Sequence, residues 1–588
     1  MLAGPGLDEV KSGSSQAAQA ENLPNAYARA PPGRLRQPPQ RVPSLPDVSA
    51  RRLRPTSLPD PHRTSAAMTI EHRLRLLSAE RLRGMRRGIE KESLRAQPSG
   101  QLALGPHPEA LGSPLTHPHI TTDFSESQLE LITGVHASAD SAIEELTQVH
   151  QFVLHTLADK SQGPGNERLW PGSMPCGLPP DETIPLGHYG SSNVARAKSV
   201  YRMGLGHRYG RRMQTISGIH YNWSMPELDN AEHFALIRNF RRHAFLLLTL
   251  FGASPAVCTS FVAGRPHTLD SLGADTRYLP YATSLRMGRL GYQSEAQASL
   301  AVSYNGLDSY AASLYDALTR PYPPYERIGV RNLGGEYNQL GTTLLQIENE
   351  FYGTIRPKRV IKPGERPLHA LRERGVEYVE VRLMDLDPFV AAGIEPDTLR
   401  FLDVFLLHCL LSDSPPDTPE EIAALGRNQL HTATHGREPG LKLERFGHSV
   451  LLTDWAQQIL DECEAIAQAL DAANDICGDT HCHVQALQTA RARLAQPETL
   501  PSARAMAGIH AAGGYTAFMN TRAEAVRQEL LALPWADVQQ ARFLAMAVAS
   551  NEALGRIEAG DSMEFETYRQ TYLSPERLEV RSRATAEA

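Results

Sequence analysis

The chain has 588 residues, 59 lysines and arginines against 66 aspartates and glutamates, a formal net charge of −7 and 41% hydrophobic residues. Such a length describes either roughly two to four domains or one large enzyme with helical additions, and the acidic balance excludes a general nucleic-acid binder, which needs a basic surface to neutralise phosphates. Six scattered cysteines make no disulfide framework, and the start of the chain lacks the apolar core of a secretory signal, so a reducing cytoplasm is the expected compartment.

Residues 1–67 are rich in Pro, Arg, Ser and Ala without a sustained apolar period and read as a disordered extension. Its Arg- and Ser-rich start resembles a transit peptide, but Asp8, Glu9, Glu21 and Asp47 break that pattern, and Met68 offers an alternative start just before the amphipathic helix "TIEHRLRLLSAERLRGM". Next comes "RRGIEKESLR", residues 86–95. As a strand it sets Gly88, Glu90, Glu92 and Leu94 on one face and Ile89 and Lys91 on the other. Two carboxylates then point the same way and repel unless a cation or water lies between them. Taken alone, ordinary solvated glutamates are the favoured explanation, because exposed Glu is common. In "ITTDFSESQLELITG", Asp123 and Glu126 fit a helix capping box, or else a turn leads into a strand with Glu130 facing away from Leu129 and Leu131; the residues leave both open.

"GLGHRYG" from Gly204 lacks the spacing of a dinucleotide loop. "MQTISGIHYNWSM" puts Gln214, His220, Asn222 and Ser224 in one parity with Gly218 leaving room beside them; a strand histidine is usually a hydrogen-bonded core residue, but its polar neighbours favour a ligand. The apolar runs beginning at Phe245 and Phe401 are interrupted by Gly252 and Pro255 and by Asp403 and His408, and neither supplies the ~20 apolar residues of a membrane span, so both are expected in the core. "YVEVRLMDLDPF" carries the clearest signal, Glu380 and Arg382 on one face with Val379, Val381 and Leu383 on the other, although a structural ion pair would look the same. From residue 453 the pattern turns helical, with Trp455, Ile459, Cys463, Ile466 and Leu470 at helical spacing behind a Thr453 cap. "CGDTHCH", residues 477–483, resembles zinc chemistry but lacks a second ligand pair and lies between helices. Strands first and helices later give an α+β enzyme with a helical C-terminal part.

Glu90, Glu92, Asp123, Glu130, His220 and Glu380 are nearly all oxygen donors. That set suits Mg²⁺, with Mn²⁺ as the alternative, better than zinc. Several divalent ions beside arginines are what phosphoryl transfer from a nucleotide requires. The chain has neither a P-loop nor the kinase signatures, so ATP would be held by metals and arginines on a sheet.

The blocks "RGIEKESLR", "HPEALGSPLTH", "ITTDFSESQLELIT", "RLWPGSMPC", "MQTISGIHYNWSMP", "FGASPAVC", "YLPYATSLRMGRLGY", "LLQIENEFYGTIRPKR" and "YVEVRLMDLDPF", in this order from about residue 84 to 390, closely resemble the proteobacterial form of glutamate-cysteine ligase, and weaker similarity runs to about residue 445. The resemblance implies a carboxylate-amine ligase of glutamine-synthetase-like fold, with a curved antiparallel β-sheet, flanking helices and the site on the concave face. It implies a catalytic domain over 68–450, with 451–588 a mostly helical part of the same unit. The implied reaction joins the glutamate γ-carboxylate to the cysteine amine through γ-glutamyl phosphate at the expense of ATP, the first step of glutathione synthesis. By the same resemblance Glu90, Glu92, Asp123, Glu130, His220 and Glu380 bind Mg²⁺, which favours the strand for Glu130, and Arg382 holds the transferring phosphoryl group. Arg286, Tyr292 and Tyr352 match positions that grip the cysteine carboxylate, and Tyr201, Leu205 and Gln214 match its side-chain pocket. L-glutamate, L-cysteine and ATP are the expected partners of a cytoplasmic monomer that engages no nucleic acid or membrane, and glutathione feedback is common in the family. A relative with another amine acceptor, or a non-catalytic scaffold of the same fold, is the competing reading.

Overall fold

The computed structural model describes residues 68–579 apart from 162, 292–294, 299 and 474–480; the expected disordered extension lies outside the described residues. The architecture is built on a seven-stranded, wholly antiparallel sheet: β1 Arg86–Ala96, β2 Ile120–Thr122, β3 Gln128–Ile132, β4 Arg168–Leu169, β5 Ile219–Ser224, β6 Ile355–Lys358 and β7 Tyr378–Met384. Their order is β2-β3-β1-β5-β7-β6, with β4 paired to the far end of β1. Around it stand α1 Ala139–Ala158, α2 Asn193–Tyr209, α3 Asn230–Phe251, α4 Pro396–Leu411, α5 Pro419–His435 and α6 Leu452–Glu462, and among the described residues six further helices follow between Glu464 and Leu573. This is the expected α+β fold.

Strict alternation makes the sheet two-faced. Ile89, Leu129, Leu131, Ile219, Tyr221, Trp223, Val379 and Val381 are at most 1% exposed. They share one core with α1, which lies over β1 and β3, and with α3, which lies over β7 and β6. Burying each such side chain stabilises the fold by about 1.5–3 kcal/mol. α3 begins where Asp229 and Glu232 form a reciprocal capping box and ends at Gly252, where an added Cβ would meet the Leu248 carbonyl at 2.5 Å.

The two apolar runs are core helices. α3 and α4 pack against each other, and among the described residues no helix is long and apolar enough to cross a membrane. The polar interruption in α4 has a partner in the sheet: Asp403 accepts from the Tyr221 hydroxyl at 2.7 Å and lies 2.8 Å from Arg87, all three buried. Asp403→Ala leaves a buried guanidinium without its counter-ion. It is expected to cost about 3–5 kcal/mol, read as a lowered midpoint in urea unfolding, with Asp403→Asn intermediate.

Two helical expectations differ in detail. The segment after Met68 is not one helix but Ile70–Arg75 and Ala79–Arg83, because the Ser78 hydroxyl accepts from Arg81 N–H and restarts the helix. Thr453 is not a cap. α6 begins at Leu452, whose N–H donates to the Leu441 carbonyl at the base of the Lys442–Arg445/His448–Leu451 hairpin, so no side-chain cap is needed. The described residues all belong to one compact unit, Ser65–Ala588.

Candidate active site

The register of the sheet assembles the site. Alternation on β1 sends Ile89 into the core and Glu90 and Glu92 the other way. Antiparallel pairing then sets Glu92 opposite Glu130, Glu90 opposite His220, and Glu380 opposite Asn222. Thr121 of β2 lies opposite Glu130, and Asp123, just past the end of β2, is close enough for its negative charge to oppose ionisation of both Glu92 and Glu130. The segment around Asp123 is a turn closed by Gln128 N–H to the Ser125 carbonyl, not a helix start. Five carboxylates and one imidazole from four strands and a turn thus share the open face.

Hydrogen bonds fix their aim. His220 Nδ1 lies 3.1 Å from Glu90 Oε2, and Asn222 Nδ2 donates to Glu90 Oε1 at 2.8 Å. Gly218 N–H donates to Glu92 Oε2 at 2.7 Å, and His220 Nε2 lies 4.0 Å from Glu92 Oε1. Glu380, 1% exposed, is ringed by three cations and an imidazole: Arg382 at 3.0 Å, Lys358 at 3.3 Å and Arg356 at 3.9 Å, with His220 at 3.8 Å. A register shift between Val381 and Met384 interrupts the β7–β5 pairing next to Arg382, the sort of irregularity that re-aims a side chain beside a site.

The electrostatics divide the carboxylates. Burial opposes ionisation of Glu380, but Arg382 and Lys358 outweigh it and hold the carboxyl well below the usual range. Burial likewise works against Glu90, and the hydrogen bond with His220 keeps it low. Burial followed by the Asp123 charge pushes Glu92 up to about 8, and burial with Glu90 and Asp123 lifts Glu130 well above its ordinary value. Burial, then Arg382, lowers His220, so its imidazole is neutral near pH 7 and able to ligate.

Such a set fits hard divalent cations. Glu90, Glu130 and His220 place ligand atoms within 4.8 Å of one another, and Glu380 Oε2 is buried without a hydrogen bond. Oxygen donors with one imidazole are the chemistry of Mg²⁺ and Mn²⁺. A proton on Glu92 competes with a cation there. In the metal-free protein the folded state binds that proton more tightly than the unfolded chain, so its stabilising contribution is full below about pH 4.5 and is lost as pH rises through about 8. A bound cation favours the ionised form and reverses this trend. The rise in Tm on adding Mg²⁺ is therefore expected to be larger at pH 8 than at pH 6 by calorimetry; an equal rise at both would remove Glu92 from the cation site.

A second group of candidate side chains adjoins this face through Arg382. Arg286, 1% exposed, donates from Nη2 to the Arg382 carbonyl at 2.8 Å and lies 3.8 Å from Asp385 Oδ1. Asp385 in turn accepts from Ser254 Oγ, Ala253 N–H and Ser284 Oγ at 2.6, 2.8 and 3.0 Å, so the guanidinium is anchored by a fully bonded carboxylate. Gln214, in the short helix Arg211–Gln214, donates to the Tyr352 hydroxyl at 2.7 Å. Tyr201 and Leu205 on α2 are buried in the same hydrophobic cluster as Leu285, with Tyr352 packed against it. Tyr292 lies outside the described residues.

Sequence reading missed Lys358 and Arg356 beside Glu380, Asp385 behind Arg286, and Lys198 and Arg202, whose charges act on Glu130. For the first pair a signal existed, since Arg356 and Lys358 alternate in "IRPK". The cysteine-histidine segment holds no zinc finger among the described residues. Asp471 accepts from His483 Nδ1 and from the His483 and Val484 N–H groups, an anchor for the start of the following helix, and Cys482 is engaged in a disulfide.

A carboxylate-lined antiparallel sheet with a basic rim, beside a buried arginine, has the chemistry of a ligase that consumes ATP. The glutamate-cysteine ligase family profile matches residues 74–432. A glutamate–cysteine ligase of Azotobacter vinelandii is 45% identical over 513 residues, 84% of this chain and 94% of its own, and that of Pseudomonas paraeruginosa is 45% identical over 504 residues, 82% and 93%. The crystal structure of glutamate–cysteine ligase from Francisella tularensis in complex with AMP superposes with a TM-score of 0.78 at 36% identity, covering 83% of this chain and 97% of that one. The chain belongs to the glutamate-cysteine ligase family and is a ligase of glutathione biosynthesis.

Proposed function

We propose the following division of labour for the reaction, the ATP-dependent ligation of glutamate to cysteine that gives γ-glutamylcysteine, ADP and phosphate. Glu90, Glu92, Asp123, Glu130, His220 and Glu380 hold Mg²⁺, with Mn²⁺ as the alternative occupant. When bound, the ions neutralise phosphate oxygens so that two anions can approach. The glutamate γ-carboxylate attacks the γ-phosphorus of ATP, the bond to the bridging oxygen breaks, and ADP leaves. Arg382 binds the transferring phosphoryl group, its guanidinium held by Glu380 at 3.0 Å so that no reorganisation is needed as charge develops. Arg286, Tyr352 and Tyr292 bind the cysteine carboxylate, and Tyr201, Leu205 and Gln214 enclose its side chain. The cysteine nitrogen, thereby oriented, attacks the acyl carbon of γ-glutamyl phosphate; phosphate departs with its electron pair and the amine sheds a proton.

The observation that carries this reading is the gathering of these donors with Arg382 on one sheet face, with Arg286 bonded to the Arg382 carbonyl beside them. It is tested by ADP release from the purified protein with Mg²⁺, omitting glutamate or cysteine in turn. ADP together with a γ-glutamylcysteine mass, dependent on both amino acids, is the expected result; preference for another amine would displace the cysteine pocket, and no ADP under any condition would leave a scaffold.

Glutathione carries the γ-glutamyl and cysteinyl groups of the product, so feedback by occupation of the same pockets follows chemically. Cys176, Cys258, Cys409 and Cys463 are buried free thiols, in keeping with a cytoplasmic setting, whereas the disulfide at Cys482 runs against it. The working form is taken as a monomer of 64.7 kDa, with residues 68–450 catalytic and 451–588 a helical part of the same unit; light scattering tests the mass.

A further inference from the structure

Outside the sheet face, one cluster has ligand chemistry that the ligation does not use. His243 on α3 and His408 and Cys409 on α4 turn ligand atoms toward a common point, all within 4.8 Å of one another. His408 and Cys409 are completely buried. Both His243 Nδ1 and His408 Nδ1 are buried without a hydrogen bond. Each such orphan costs about 1–3 kcal/mol, and native cores pair nearly all buried polar atoms. Two of them side by side demand a partner.

Apolar packing alone does not supply it. The two imidazoles lie 5.4 Å apart at 50°, neither stacked nor hydrogen-bonded to each other, with His243 edge-on to Trp455. The surroundings prepare one nitrogen for ligation. His408 Nε2 lies 2.8 Å from Glu462 Oε2 on α6, and burial's opposition is outweighed by His408 itself in holding that carboxylate ionised. With Nε2–H donated to Glu462, the Nδ1 lone pair faces the cluster; this carboxylate–histidine arrangement is the usual support of a ligating imidazole. The neighbouring cations are already engaged: Arg242 is paired with both oxygens of Glu421 at 2.7 and 2.9 Å, and Arg445 donates to Gln458 at 2.8 Å.

We propose that His243, His408 and Cys409 form a structural site for a borderline divalent ion of the zinc class, located where α3, α4 and α6 meet. Two imidazoles and a thiolate select such an ion against the hard Mg²⁺ expected on the sheet face. On binding, the Cys409 S–H bond breaks, sulfur keeps the electron pair as a metal thiolate, and one proton leaves to solvent. The buried thiol of Cys463 acts electrostatically on Cys409 in the same core. The ion joins α3 to α4, and Glu462 of α6 braces the site through His408.

The test uses the full-length protein without a histidine tag. After loading with Zn²⁺ and dialysis, about one zinc per chain is expected by mass spectrometry of the metal. Loading with Co²⁺ instead is expected to give tetrahedral visible bands and a thiolate charge-transfer band in the near ultraviolet, a signature that carboxylates cannot produce. The band should vanish in Cys409→Ser, while Glu380→Gln, which alters only the sheet face, should keep it. His243→Phe, which preserves core volume, should lower zinc retention by at least about 10²-fold, the scale reported for losing one support of a metal site. Circular dichroism checks that each variant is folded, and if Cys409→Ser is not, His243→Phe decides. Absence of the charge-transfer band from the wild type, or equal zinc retention in folded His243→Phe, would overturn the site.

Discussion

Glu380→Gln is expected to lower turnover by at least about 10²-fold at saturating Mg²⁺ and substrates, the scale of losing one preorganised electrostatic stabiliser. The substitution keeps the shape and removes the charge. Arg382, Lys358, His220 and Arg356, at 3.0 to 3.9 Å, then face each other without the carboxylate that holds them, and Arg382 loses the anchor that aims it at the phosphoryl group. Because the proposed cysteine site rests on Arg286 and Asp385, the loss should fall on kcat with little change in KM for cysteine. A coupled ADP assay over a Mg²⁺ titration reads both. Near-normal kcat at any Mg²⁺ concentration would take Glu380 out of the site.

Gly218→Ala should act on the second substrate. A Cβ there would lie 2.0 Å from Arg286 Nη2, so the guanidinium must leave its place over the strand. Gly218 also gives its N–H to Glu92 Oε2, yet a methyl group does not remove that donor. The expected result is a rise of about 10²-fold in KM for cysteine, equivalent to one charged hydrogen bond of about 3 kcal/mol. Glutamate-dependent ATP binding, followed by calorimetry, should change far less. If KM for cysteine stayed within about threefold of wild type, Arg286 would not be the carboxylate anchor.

Much of this site was legible because strand parity is unforgiving. With period two, "RGIEKES" must send Glu90 and Glu92 to one face, and "VEVRL" must do the same for Glu380 and Arg382. Arg356 and Lys358 were hidden by Pro357, which argues against a central strand; β6 is the edge of the sheet, where a missing N–H is harmless. Asp123 was ambiguous because a capping box and a turn use the same residue types, and only pairing of β2 with β3 distinguishes them. Asp385 was unreadable: its partners Ala253, Ser254 and Ser284 are more than a hundred residues away, and no local pattern reports a contact of that range. The single long helix expected after Met68 failed for the opposite reason, since local capping by Ser78 overrode a continuous amphipathic pattern.

The proposed cation donors come almost wholly from paired strands, whereas the proposed acceptor site is drawn from α2, a short helix and connecting segments. Inserting one residue within Arg86–Glu92 would exchange the carboxylates for Ile89 and Lys91 and ruin the apolar core and the cation site in a single step. Substitutions at Tyr201, Leu205 or Gln214 carry no such double penalty. The phosphoryl-transfer half of the enzyme is therefore frozen against incremental change, while its choice of amine is free to drift, and variation in acceptor among descendants of this chain should arise in the helices and loops long before it reaches the sheet.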